Sequence, residues 1–183
     1  IEGRILKNLA TWPPEKIYEK LQISHHQSER LLKEMQQITI QSAGRWGGEI
    51  ENRTFDLKKA LEELIDNYRS GHEKATINLD FQLKDPEIFA DPFHLIHLVD
   101  NLISNALKYA GEKAEIQISC KQEKPNKLLI SVKDNGPGVS THSRKRIFRT
   151  GFRSNHRHQN SHGIGLAYVR KIVRQYNGHI QIK

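Results

Sequence analysis

Apolar residues along the middle of the chain keep two different periods. Leu57, Ala60, Leu61, Leu64, Ile65 and Tyr68 recur as on one stripe of a helix. Thr54 or Asp56 stands where a helix cap belongs. Ile77, Leu79, Phe81 and Leu83 alternate instead, which predicts a half-buried strand. Helical spacing returns with Leu95, Leu98, Val99, Leu102, Ile103, Ala106 and Leu107. Alternation around Ile116, Ile118 and Cys120, followed by the run at Leu128–Val132, predicts a hairpin across Lys124, Pro125 and Asn126. A last apolar helix opens near Gly163 and runs through Val169. This succession predicts a mixed α/β domain, a two-layer sandwich with helices on one face of a mixed sheet.

Upstream the pattern changes. Ile17, Leu21, Ser24, Ser28, Leu31, Met35, Ile38 and Ser42 are spaced 4-3-4-3-4-3-4, a narrow heptad seam that calls for a partner helix. The alternative is a long amphipathic helix packed on its own domain. Pro13 and Pro14 suit the start of this helix, and Gly44, Gly47 and Gly48 suit its end and a joint. The expected division is therefore a long helix and joint over 1–48 and an α/β domain over 49–183.

Three segments carry candidate chemistry. On the helix around residue 101, the leucine-rich arc leaves Asn101, Asn105 and Lys108 within roughly 60° of one another at about 100° per residue. Two amides and an ammonium on one face suit a ligand site, or simply a wet stripe. Asparagine competes for backbone hydrogen bonds and is a mediocre helix former, so two of them there need a use. Next, the strand ending at Lys133 runs into Asp134, Asn135, Gly136, Pro137, Gly138 and Val139. A buried carboxylate there can accept from an amino group, and the glycines let the backbone approach a ligand; a plain turn reads the same way. Finally, Gly163, Ile164, Gly165 and Leu166 open a helix, whose first N–H groups can hold a phosphate or merely begin a helix.

Taken in this order, the three segments resemble the nucleotide-binding fold shared by sensor histidine kinases, DNA gyrase, Hsp90 and MutL, in its histidine-kinase version. Asp91 to Tyr109 is similar to that family's N box, Val132 to Val139 to its G1 box, Arg146 to Arg153 to its F box and Gly163 to Val169 to its G2 box. The resemblance implies an ATP and Mg²⁺ site: Asn101 and Asn105 as metal ligands, Lys108 on phosphate oxygens, and Tyr109 against adenine. It further implies Asp134 as acceptor of the adenine amine, with Gly136, Gly138 and Val139 around the base. Gly163, Ile164, Gly165 and Leu166 would then serve the phosphates, and Arg153, beside Phe148 and Phe152, would reach the γ-phosphate. Asn101, Lys108 and Arg153 are the implied catalytic set. Members of the superfamily that hydrolyse ATP place a glutamate where this chain has Asn101, and an amide cannot act as a general base. Phosphoryl transfer to a histidine is thus implied rather than hydrolysis. Asp100 points about 100° away from Asn101 and is expected to be structural.

The same resemblance casts the heptad helix as the second helix of a dimerisation hairpin. It implies a homodimer in the full-length protein and relay of the phosphate to a response regulator or receiver domain. Neither His25 nor His26 has the acidic residue and proline that follow the family's acceptor histidine, so the acceptor is expected outside this sequence and autophosphorylation by it alone is not expected. Ile1-Glu2-Gly3-Arg4 spells a protease-tag site, and Gly178 to Ile182 begins a closing hairpin whose last strand is expected beyond the end. The polar tract Ser154–His162 reads as a mobile loop, and the resemblance implies that it is the lid over ATP; its three histidines also raise a metal site. Ser161 and His162 stand where many relatives carry another glycine.

Composition narrows the classes. The 183 residues carry a net charge of +8, which invites nucleic acid, but the basic residues are dispersed apart from Arg144, Lys145, Arg146, Arg149 and Arg153 near the presumed nucleotide. No nucleic-acid partner is expected. No run approaches the ~18 apolar residues of a membrane span, so no membrane contact by this part of the chain is expected. The single cysteine, Cys120, suits a reducing cytoplasm and a strand in the core. The competing functions are a non-catalytic adaptor that retains nucleotide, and a serine kinase of the anti-sigma type, which shares the boxes but lacks a long heptad helix.

Overall fold

The computed structural model of the chain describes residues 12–18, 20–22, 24, 50–144, 146–152 and 164–182. It divides into two compact units, Ile1–Trp46 and Gly47–Lys183. In the first, residues 14–18, 20–22 and 24 are helical. The Lys16 and Ile17 amides donate to the Pro13 carbonyl at 3.0 and 3.2 Å, so the helix starts beside its prolines, as their fixed φ favours. The remainder of the heptad seam, with His25 and His26, lies outside the described residues.

The second unit runs β1 (Arg53–Asp56), α1 (Leu57–Gly71), β2 (Thr76–Phe81), β3 (Glu87–Ala90), α2 (Pro92–Ala110), β4 (Glu115–Lys124), β5 (Lys127–Asp134), α3 (Thr141–Arg144) and α4 (Gly165–Gln175). Two aspartates set where the long helices begin. Asp56 Oδ1 accepts the Lys59 amide at 2.9 Å, and Asp91 Oδ1 accepts the His94 amide at 3.0 Å, each satisfying a donor that the first helical turn leaves unpaired.

The principal sheet is mixed, in the order β2-β4-β5. β2 and β4 are parallel, pairing Ile77 with Ile116 and Leu79 with Ile118; such a pair needs a long crossover, supplied by β3 and α2. β4 and β5 are antiparallel, pairing Ile118 with Val132 and Cys120 with Ile130. Their turn passes through Asn126 at φ 62°, a left-handed conformation that asparagine tolerates. The alternation expected to reach Leu83 stops as a strand at Phe81, although the Gln82 amide still donates to the Cys120 carbonyl at 2.8 Å.

Helices α1 and α2 pack on this sheet, and α4 packs along α2, which makes the two-layer α/β sandwich. Leu57, Leu61 and Ile65 of α1, Val99 and Ile103 of α2, Ile116, Ile118 and Cys120 of β4, and Val169 and Ile172 of α4 form its core, all at most 1 to 2 % exposed. Burial of each large aliphatic side chain contributes about 1.5–3 kcal/mol.

A second, two-stranded sheet was not anticipated. β1 pairs antiparallel with β3, Arg53 against Ala90 through Asp56 against Glu87. Its four-residue strands are too short and too exposed to show a period. Residues 178–182 carry no strand.

Candidate functional site

The predicted ligand face lies along the second half of α2, where Asn101, Asn105 and Lys108 are all half-buried and Tyr109 is 41 % exposed. Asn101 is held in a defined orientation, its Nδ2 donating to the His97 carbonyl one turn back at 2.7 Å. That bond uses one of the amide's two N–H donors on the helix and leaves Oδ1 toward the start of α4. There it meets Gly165: a Cβ at position 165 would fall on Asn101 Oδ1. Only glycine lets the backbone of α4 come this near. The first and third sequence segments, 64 residues apart, are thereby brought into contact.

The α4 terminus differs from those of α1 and α2. Ile164 occupies its N-cap and contributes no side-chain hydrogen bond, so among the described residues no carboxylate caps the Gly165, Leu166 and Ala167 amides. Uncapped donors at a helix N-terminus attract anions. A neutral amide oxygen beside them is a donor suited to a hard cation that takes its remaining ligands from phosphates and water. The residues present thus fit Mg²⁺ with a polyphosphate.

Asp134 ends β5 beside the C-terminal end of α2, and there, against the expectation of a buried carboxylate, it is exposed, because β5 is the edge strand of its sheet. Its Oδ1 accepts the Gly136 amide at 2.8 Å, and a Cβ on Gly136 would press on that same oxygen at 2.6 Å and on the Ala110 nitrogen at 3.4 Å. The carboxylate is therefore anchored by one oxygen, with the other left to accept. Asn135 braces the turn, its Oδ1 accepting from the Glu115 amide at 2.9 Å and its Nδ2 donating to the Lys113 carbonyl at 3.2 Å. Gly138 follows at φ +72°, and the Val139 carbonyl accepts Arg144 Nε at 3.2 Å. Lys108 Nζ lies 5.3 Å from the Tyr109 ring centroid. Phe148 and Phe152 sit half-buried in the turns of 146–152, with the Arg146 guanidinium 5.1 Å over the Phe152 ring. Arg153, Gly163 and the histidines at 156, 158 and 162 lie outside the described residues.

Nearer the start of α2 is a set of polar contacts that the apolar periodicity did not reveal. His94 Nδ1 and the Tyr168 hydroxyl are 2.7 Å apart, and the His97 ring stands edge-on to Tyr168 at 4.9 Å. Asp100, expected to be structural, accepts the Tyr68 hydroxyl at 2.7 Å. Burial pushes the His97 pKa down, opposed by Asp100 and assisted by His94. Only the helical spacing of His94 and His97 on the apolar side of α2 could have signalled these contacts.

Residues 90–183, just over half of the chain, match the family of histidine kinase-, DNA gyrase B- and HSP90-like ATPases. The chain belongs to this family. Among curated relatives, the sensor protein RprX of Bacteroides fragilis is 24 % identical over 189 residues, covering 99 % of this chain and 36 % of that protein. The adaptive-response sensory kinase SasA of Trichormus variabilis is 32 % identical over 125 residues, covering 68 % of this chain and 31 % of that protein. The chain thus spans about a third of the length of these relatives. Full-length ShkA, solved in complex with AMPPNP, superposes with a TM-score of 0.71 over 98 % of this chain and 39 % of that one, at 22 % identity. The second unit is accordingly an ATP-binding domain of the histidine-kinase type. Among its described residues no helix is long and apolar enough to cross a membrane.

Proposed function

We propose that the domain holds ATP with Mg²⁺ and presents the γ-phosphoryl group to a histidine, as part of a sensor kinase that passes the phosphate to a response regulator. The observation that carries this is the Asn101 amide, pinned by the His97 carbonyl and set directly against Gly165. Asn101 and Asn105 would hold the metal, and Lys108 would meet phosphate oxygens as a point charge. The α4 amides would cradle the phosphates, with Arg153 at the γ end. Asp134, with Tyr109 nearby on α2, would select adenine. When bound, Mg²⁺ neutralises charge that develops on the phosphates.

The protein's own contribution is placement. Phosphoryl transfer depends mainly on positioning and electrostatic stabilisation, and an amide at 101 offers no base to activate water. Transfer forms a P–N bond at an imidazole nitrogen as the bond from the γ-phosphorus to the ADP oxygen breaks. The acceptor would lie elsewhere in the longer protein, two copies of which would associate through the N-terminal helix.

Calorimetry with Mg²⁺ and AMPPNP tests the binding half, and heat absent at millimolar ligand refutes it. Asn105→Asp should weaken or distort metal binding; wild-type affinity in that variant rejects the ligand assignment. Acid-labile phosphate on a histidine of the longer chain supports the transfer half, whereas acid-stable phosphoserine on a partner points to a serine kinase.

A further inference from the structure

The contacts between α2 and α4 form an ordered series. Asn101 meets Gly165, His94 and His97 enclose Tyr168, and the Tyr176 hydroxyl accepts the Asp91 amide at 2.9 Å. Positions fall along α2 as they rise along α4, so the two elements run antiparallel. The spacing agrees on both sides. Asn101 to Asp91 spans ten residues and Gly165 to Tyr176 eleven, or about 15 and 16.5 Å at helical rise. The lower end is fastened to backbone and side chain of the chain's approach to β1. Asp91 Oδ2 accepts the Glu51 amide at 2.9 Å, and the Tyr176 hydroxyl donates to Asn52 Oδ1 at 2.9 Å.

Besides these polar points the two helices pack on each other, each with apolar side chains buried in the core, Val99 and Val169 among them. Such packing is non-directional and tolerates small sliding; hydrogen bonds, with their narrow distance and angle, do not. We infer that Tyr168 and Tyr176 are positioning residues, fixing the axial register of α4 on α2 so that the first amides of α4 stay opposite Asn101. The Tyr168 hydroxyl and His94 Nδ1 share one hydrogen bond at 2.7 Å, which either tautomer of the imidazole completes. The other ring nitrogen of His94, Nε2, faces Asp91 Oδ2 at 3.8 Å. The effect on binding rests on the ATP site proposed above, because only a phosphate-bearing ligand would depend on the α4 amides.

Tyr168→Phe removes the hydroxyl and keeps the ring, so it isolates the bond from the packing. Affinities for AMPPNP with Mg²⁺ and for adenosine alone are compared in this chain. The expected result is AMPPNP weakened about fivefold, the value of one hydrogen bond, with adenosine unchanged. His94→Asn, whose amide oxygen stands near the place of Nδ1, should retain most of the AMPPNP affinity, and His94→Leu should not. Equal weakening of both ligands, or AMPPNP affinity unchanged in Tyr168→Phe, overturns the inference. If the wild-type chain binds no AMPPNP, the ATP site itself is refuted. Amide exchange of Gly165 to Tyr168 in the unliganded chain then decides the register: faster exchange in Tyr168→Phe supports it, unchanged exchange overturns it. Should Tyr168→Phe fail to fold, the same measurements on Tyr176→Phe, altered at the more exposed end of the seam, carry the decision.

Discussion

Gly165→Ala separates stability from binding in a way that follows from two contacts. A methyl at 165 would take the place of Asn101 Oδ1, so the amide must rotate away and break its 2.7 Å bond to the His97 carbonyl. That bond is worth about 1 kcal/mol. Replacing glycine also restricts the unfolded chain, which recovers about 0.4–1 kcal/mol where the backbone is compatible, and Gly165 does not have a positive φ. The two effects nearly cancel, and the urea midpoint should scarcely move. Binding has no such compensation. A contact to a charged ligand is worth about 1.5–3 kcal/mol, so loss of the amide oxygen should raise the Kd for AMPPNP with Mg²⁺ by about 10- to 150-fold. Calorimetric titration of Gly165→Ala, Asn101→Ala and the double variant gives the coupling directly. Once Asn101 is gone, Gly165→Ala should cost nothing further. Additive losses in the double variant, or a large drop in the urea midpoint of Gly165→Ala, would refute the contact as the cause.

Three further outcomes follow from the same geometry. Asn135→Ala removes two hydrogen bonds that join the Asp134 turn to the start of β4, at 2.9 and 3.2 Å; it should lower stability by about 1–2 kcal/mol in urea unfolding, and an unchanged midpoint counts against the brace. Burial alone would raise the Asp91 carboxyl, but hydrogen bonds from the Glu51 and His94 amides and the neighbouring His94 outweigh it and leave its pKa below the ordinary 3.8. A folded pKa below the unfolded one stabilises the protein above about pH 3.8 and is lost as the pH falls further, so Asp91→Asn should flatten the acid limb of stability against pH, and parallel curves for the two proteins would reject this. Burial, with Asp80 adding, pushes the Cys120 thiol up to about 11; at pH 8 it should resist alkylation in the folded chain and react on unfolding, as followed by mass spectrometry, and rapid labelling of the native protein would contradict its place in the core.

Much of the sheet was legible because a strand buried on one face announces itself by alternation, as at Ile116, Ile118 and Cys120. One cap was legible, as one of two candidates, for a related reason: Asp56 acts on a residue three positions away, within reach of a local pattern. The β1–β3 ladder was not, since its pairing joins Arg53 to Ala90 through strands of four residues. His94 and Tyr168 also escaped. Each occupies an ordinary position on an amphipathic helix, and nothing short of their meeting makes them a pair.

By itself the sequence determined that Asn101, Asn105 and Lys108 share a face of one helix, because helical geometry converts spacing into direction. It determined also that a carboxylate followed by glycines ends β5. Only the tertiary structure decided that Gly165 stands against Asn101, that Asp134 sits at the end of α2, and that the tyrosines of α4 grip α2 in one register. Periodicity records which side of an element is buried but not which partner covers it. The choice of partner comes from packing the whole core, where residues 64 positions apart come together.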